Sequence, residues 1–149
     1  MQLGVSNDWV LLSDPWFDEQ LDLLEIEVTR RRDKDPQQFM KSNAAKRLRM
    51  IYLLTNDIVP IDPSAIQYRL GKTLRSEYRH WRRAKFLQQF RLFFRYNSES
   101  KILLYSWFND EESLRAYGSK TDAYEIFQKM LDRGNPPNTW VDLLDSIKQ

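Results

Sequence analysis

The side chains of this sequence that can do chemistry concentrate in one stretch, RLGKTLRSEYRHWRRAKFLQQFRLFFR, residues 69–95. Nine of them are basic (Arg69, Lys72, Arg75, Arg79, Arg82, Arg83, Lys85, Arg91 and Arg95), against a single acid, Glu77. Tyr78, Trp81, Phe86, Phe90, Phe93 and Phe94 are interleaved with them. Cations hold phosphates and flat rings stack on bases, so this mixture at strand spacing points first to nucleic acid. The plainer reading is a half-buried hairpin with a solvated basic face.

The charge is local. Across 149 residues, 23 basic and 21 acidic side chains leave a net charge of only +2. The acids sit mainly before Asp62 and after Glu99, which isolates the middle as a basic island. Such an island fits an electrostatic footprint better than a solubility device. Without cysteine there is no disulfide, and with His80 as the lone histidine a zinc site of nitrogen and sulfur ligands is close to excluded. No zinc cofactor is therefore expected. The opening MQLGVSNDWVLLSDPW has no basic leader and no long apolar run. No stretch approaches the roughly 20 apolar residues of a spanning helix. A cytoplasmic protein without membrane contact is the expectation. Gly71-Lys72-Thr73 is not a phosphate loop, because the glycine required five residues earlier is Ile66.

The elements that must position these residues follow from caps and periods. Asp14 as N-cap and Pro15 at the first helical position open a helix over 14–33, with Phe17, Leu21, Leu24 and Val28 as its stripe. Arg30, Arg31 and Arg32 close it, where cations complement the helix dipole. Asp35 and Pro36 repeat the opening, which predicts a second helix to about Asn56 and a helical hairpin over 14–57. Pro60 and Pro63 break the chain before the basic segment.

From Trp81 the period becomes two. Arg83 and Lys85 share one strand face, and Arg82, Ala84 and Phe86 the other. In the next strand Arg91, Phe93 and Arg95 oppose Leu92, Phe94 and Tyr96; Asn97–Ser100 is a turn, and 101–107 a third strand. A further strand around 71–74 is weakly signalled. Helical period returns after Asp110 through Ser113, Leu114 and Tyr117. Thr121 or Asp122 then caps a helix containing Tyr124, Phe127, Met130 and Leu131, and Trp140–Ile147 forms a last short one. The expectation is one α+β domain over 1–149: a helical hairpin (14–57), a small basic antiparallel sheet (69–107) and C-terminal helices (111–149).

RLGKTL, HWRRAKF, FRLFFRY and the spaced run W-x-NDE-x-SLR-x-YG-x-KTDAY-x-IF-x-KML-x-RG-x-PP-x-x-W, ending at Trp140, resemble the YhaV family of toxin–antitoxin toxins, within the RelE/ParE superfamily. The resemblance implies a RelE-like fold and a small ribonuclease that cleaves messenger RNA without a metal, often on a translating ribosome. It also implies a cognate antitoxin of the PrlF type, with a swapped-hairpin, AbrB-type fold, and repression of operator DNA by the toxin–antitoxin complex.

RelE-like toxins are thought to drive attack of the RNA 2′-hydroxyl on the adjacent phosphate, which needs a base, cations and an acid. By position in the resembling strands, Arg83, Lys85 and Arg91 are the implied catalytic residues. Arg91 stabilises the transition state, and Lys85, flanked by cations, is the base. Arg83 and Arg95 hold flanking phosphates, Arg95 being equally well a plain strand-face cation. Arg69, Lys72, Arg82 and Lys120 are the further RNA-binding residues. The family pattern breaks after the third strand, so the general acid is open among Tyr124, Lys120, Asp110 and His80. Trp107 fills the core or stacks on a base. Two other readings stay open: a ParE-like gyrase poison on the same fold, and a non-catalytic nucleic-acid-binding co-repressor.

Overall fold

The computed structural model describes residues 1–147; residues 148 and 149, the end of the expected C-terminal helical region, lie outside it. The chain opens with two strands, β1 (Gln2–Ser6) and β2 (Trp9–Ser13). Asn7 and Asp8 join them at φ 51° and 71°. Those are left-handed turn positions that short polar side chains tolerate. Trp9, Leu11 and Ser13 point inward. Asp14 then caps α1 (Pro15–Lys34), its carboxylate accepting from the backbone N–H of Phe17. A second helix, α2 (Asn43–Leu53), is capped by Ser42 and continues as one wider turn over Leu54–Ile58.

Strands β3 (Arg82–Phe86), β4 (Phe90–Asn97) and β5 (Ile102–Phe108) follow, then α3 (Ala123–Asp132) and α4 (Trp140–Asp145). The five strands order as β1-β2-β5-β4-β3, with β2 parallel to β5 and every other pair antiparallel. A bulge between Phe93 and Phe94 lets one extra residue, Ser106, into β5. That extra residue re-phases the strand, so Tyr105 and Phe108 join one core while Trp107 joins the other.

Both faces of the sheet are covered. Phe17 and Leu24 of α1 and Ile51 of α2 pack with Ala84, Phe86, Leu92 and Phe94 on one face. On the other, Phe127 of α3 stacks on Phe93 at 4.1 Å between ring centroids and meets Trp81 edge-on at 5.2 Å. Tyr124, Leu131 and Leu143 of the C-terminal helices belong to this second cluster. The period-two reading of β3 and β4 holds: the arginines of one face look toward α3 and α4.

An N-terminal helical hairpin on a purely antiparallel sheet is overturned. The chain begins with a strand pair, and α1 and α2 come after it. The physical reason is the Asn7-Asp8 turn flanked by alternating apolar residues, which supplies a hairpin whose second strand then pairs with β5 about 90 residues away, at Val10↔Ile102. Asp35 ends α1 rather than opening α2, and the segment after Pro36 forms only a short turn over Phe39–Lys41 before Ser42 starts the helix. Residues 111–118 form turns instead of a helical turn, and 71–74 is not a strand: only an isolated bridge from Arg69 to Arg82 approaches the sheet edge.

Candidate functional site

Arg83 on β3 and Arg91 on β4 lie on the face that α3 covers. Cross-strand pairing sets Arg83 opposite Phe93 and Lys85 opposite Arg91. Arg83 is 8% exposed, Arg91 7% and Tyr124 4%. The Tyr124 hydroxyl oxygen accepts from Nε of Arg83 at 2.9 Å and from Nε of Arg91 at 3.0 Å. Two guanidiniums on adjacent strands thus converge on one oxygen.

Neutral acceptors fix both guanidiniums. Arg83 Nη1 donates to the carbonyls of Arg69 and Gln67, and Arg91 Nη1 to those of Gln88 (2.8 Å) and Phe90 (2.9 Å). Among the described residues neither arginine is in an ion pair with a carboxylate. Two buried cations with no anion between them are costly unless an anion arrives. Nε and Nη1 of each guanidinium are engaged within the fold, which leaves Nη2, without a hydrogen-bond partner among the described residues, as the group that could receive a phosphate oxygen.

The start of α3 is built to hold Tyr124 there. Asp122 caps the helix, with Oδ2 accepting from the Tyr124 N–H at 3.0 Å and Oδ1 from the Ala116 N–H at 2.7 Å. The same Oδ1 receives Nη1 of Arg115 at 2.6 Å. The Arg115 guanidinium in turn lies 4.9 Å from the Tyr124 ring centroid, and Phe93 meets that ring edge-on at 5.7 Å. Asn109 fastens the strand end: its side chain accepts from the Arg91 N–H at 2.7 Å and donates to the carbonyls of Gln89 and Ser113. A cleft of about 520 Å³ opens beside Tyr124, lined also by Lys72, Thr73, Arg115, Tyr117, Gly118, Asp122 and Glu125.

Of the residues singled out in the sequence, Arg83, Arg91 and Tyr124 come together. Lys85 is exposed, one cross-strand step from Arg91. Lys72 lines the cleft, while Arg69 and Lys120 are exposed. Arg82 points to the opposite side, over the Tyr96 ring at 5.7 Å. Arg95 is held between Trp81 (5.4 Å) and Trp140 (5.5 Å) and donates to the Asn138 carbonyl at 2.6 Å. Burial and the neighbouring Arg82 lower its pKa to about 10. His80 shares the Asn138 side-chain oxygen with the Trp81 indole N–H. Desolvation and the Arg95 charge hold its imidazole below the ordinary value. Asp110 closes a turn by accepting from Glu112 and Ser113, and Trp107 is buried in the core.

Sequence reasoning missed Arg115 and Asn109. Their signal was present in N-D-E-x-S-L-R, but a helical reading of 111–118 turns Arg115 away from the strands, whereas the actual turn folds it back over Tyr124. Among the described residues no group of three or more His, Asp or Glu is arranged to hold a metal ion. No helix among them is long and apolar enough to cross a membrane.

Residues 11–148 match the family model of the YhaV toxin, described as a toxin with endonuclease activity, of a toxin–antitoxin system. Toxin YhaV of Escherichia coli O6:H1 (strain CFT073) is 39% identical over 145 residues, covering 96% of this chain and 94% of that protein. Ribonuclease toxin YhaV of Escherichia coli strain K12 is 41% identical over 139 residues, 92% of this chain and 90% of the relative. No solved structure matches.

Proposed function

The chain belongs to the YhaV family, toxins with endonuclease activity of toxin–antitoxin systems, and from that premise we propose that it is a ribonuclease that cuts messenger RNA at the Arg83–Arg91–Tyr124 site. The observation that carries the reading is the pair of buried arginines, in no ion pair with a carboxylate among the described residues, whose Nε groups meet on one oxygen.

In the proposed reaction the 2′-oxygen of one nucleotide bonds to the adjacent phosphorus and the bond from phosphorus to the 5′-oxygen breaks. The products are a 2′,3′-cyclic phosphate and a 5′-hydroxyl. Negative charge grows on the non-bridging oxygens as the pentavalent centre forms, and Arg83 and Arg91 supply fixed donors for it. Donors held in place by backbone carbonyls need no reorganisation when that charge appears. Lys85, at the exposed end of the same face and directly across the strand pair from Arg91, is the group placed to take the 2′-hydroxyl proton. Tyr124 accepts two hydrogen bonds and donates its own proton to no acceptor among the described residues, which leaves that proton for the departing 5′-oxygen.

Charge stabilisation in this scheme comes from arginines, so cleavage continues in EDTA. A toxin of a toxin–antitoxin system has a cognate antitoxin, and a PrlF-type, swapped-hairpin partner that covers the basic face or orders the C-terminal helices fits this role. Translated messenger RNA as substrate makes the cytoplasm the site of action, and puts operator DNA in reach of the toxin–antitoxin complex.

End-group mapping tests the reaction class. RNA incubated with purified protein in EDTA, with and without ribosomes, is expected to carry cyclic-phosphate and 5′-hydroxyl ends. A 2′-deoxy nucleotide at the attacking position is expected to abolish the cut. Cleavage that survives the deoxy substitution, or that leaves 5′-phosphates, contradicts the mechanism.

A further inference from the structure

We propose that Tyr117 is the stacking platform for an RNA base next to the scissile phosphate, an inference that rests on reading the neighbouring site as RNA-cleaving. Tyr117 is 93% exposed, an extreme for a large aromatic ring. Its hydroxyl makes no hydrogen bond among the described residues, so the fold gains little from it. The turn nevertheless holds it in place. Ala116 is bound to Asp122, Ser119 N–H closes onto the Ala116 carbonyl at 2.9 Å, and Gly118 takes the φ of 81° that the reversal needs.

Arg115 explains why the ring stands at the cleft. Its guanidinium lies 5.5 Å from the Tyr117 ring centroid and 4.9 Å from that of Tyr124, so one cation sits against both rings. One end of this stack is the buried tyrosine whose oxygen meets Arg83 and Arg91, and the other is a ring open to solvent. Tyr124 belongs both to the arginine pair and to the cleft that Tyr117 lines, so a nucleotide whose phosphate lies at the arginines would direct its neighbouring base along this cleft toward the Tyr117 face that Arg115 leaves open. Lys72, lining the same cleft, suits the next phosphate along. Glu125 lines it too, and an acceptor-only carboxylate suits the N–H edge of a base while disfavouring a phosphate.

The test uses a 2′-O-methyl RNA copy of a mapped cleavage site, which binds without being cut, and the full-length protein. Tyr117→Ala is expected to weaken binding about 5- to 150-fold, the range for loss of one base–aromatic stack. It is expected to raise KM while the single-turnover rate at saturating RNA and the thermal midpoint stay near wild type. Tyr117→Trp should restore affinity. Removing the base at one flanking nucleotide should weaken wild type and leave Tyr117→Ala unaffected.

Wild-type affinity in Tyr117→Ala, or an equal loss in Tyr117→Trp, overturns the platform while the cleavage reading stands. Unchanged RNA affinity with lost affinity for the cognate antitoxin also overturns it, and assigns the ring to a protein partner. Wild type that neither binds nor cuts RNA overturns both readings, and that result is visible before any variant is made.

Discussion

The two faces of the sheet treat buried arginine differently. On the α1–α2 face, Arg47 is 4% exposed and lies 3.5 Å from Glu27 and 3.7 Å from Glu111, its guanidinium 5.2 Å from the Phe90 ring centroid. Its charge is answered within the fold. On the α3 face, Arg83 and Arg91 are as well buried, yet carbonyls and a phenol are their partners. Burying a charge without a counter-charge is a stability liability. On the proposed reading, the compensated arginine is structural, and the two that meet no carboxylate among the described residues serve the reaction.

The sharpest way to break this comparison is to remove a cation from the open face. Arg83→Ala is expected to lower kcat about 10²- to 10³-fold, the effect of losing one preorganised donor to a developing oxyanion. Relief of a buried charge is offset by the Gln67 and Arg69 carbonyls and the Tyr124 hydroxyl losing their donor, so a stability loss of about 1–3 kcal/mol is expected beside the rate effect. A single-turnover assay beside a melting curve reads both. Tyr124→Phe is the next step down. It keeps the ring against Phe93 and Phe127's neighbourhood but removes the acid, for an expected loss of about 10²-fold. That loss should fall mostly in kcat; a pure rise in KM would make Tyr124 a binding group instead.

The closed face sharpens the contrast through stability. Asp14 is buried, and that burial raises its pKa to about 7. The unfolded value lies near 3.8, so between these pH values the folded state holds a proton that the unfolded state has lost. Stability therefore falls as pH rises from about 4 to about 7 and levels off above. Asp14→Asn, a comparable cap, should remove that slope in denaturation midpoints taken between pH 4 and 8. Smallest of all is Arg47→Met. It should leave the cleavage rate unchanged, while stability falls by no more than about 3 kcal/mol, since the Glu27 and Glu111 carboxylates it strands are part-exposed and reach water. A large loss of rate in this variant would erase the distinction between the faces.

Much of the site was readable before the fold. Alternation alone put Arg83 and Lys85 on one side of β3 and Arg91 and Arg95 on the same side of β4, since strand side chains alternate whatever their neighbours. A cap at Thr121 or Asp122 followed from their place before an apolar stripe and put Tyr124 near the start of α3; the structure takes Asp122. Burial was not readable. Lys85 and Arg83 look equivalent in sequence, yet one is exposed and one is covered by α3. Arg95 reads as a free cation until Trp81 and Trp140, far apart in the chain, close on it. Strand β2 pairs with β5 across a separation that no local pattern encodes, and the Pro36 start signal was outcompeted because Ser42 offers a cap directly ahead of Ala44 and Ala45, which the core buries.

The most direct test of the central claim is the single-turnover cleavage rate of Arg91→Ala in EDTA, measured against wild type at equal folded fraction and with Arg47→Met as the control. The uncompensated arginine pair predicts a fall of about 10²-fold or more in Arg91→Ala and none in Arg47→Met. Wild-type cleavage by Arg91→Ala, with the same cyclic-phosphate ends, would contradict it and move the chemistry to another part of the molecule.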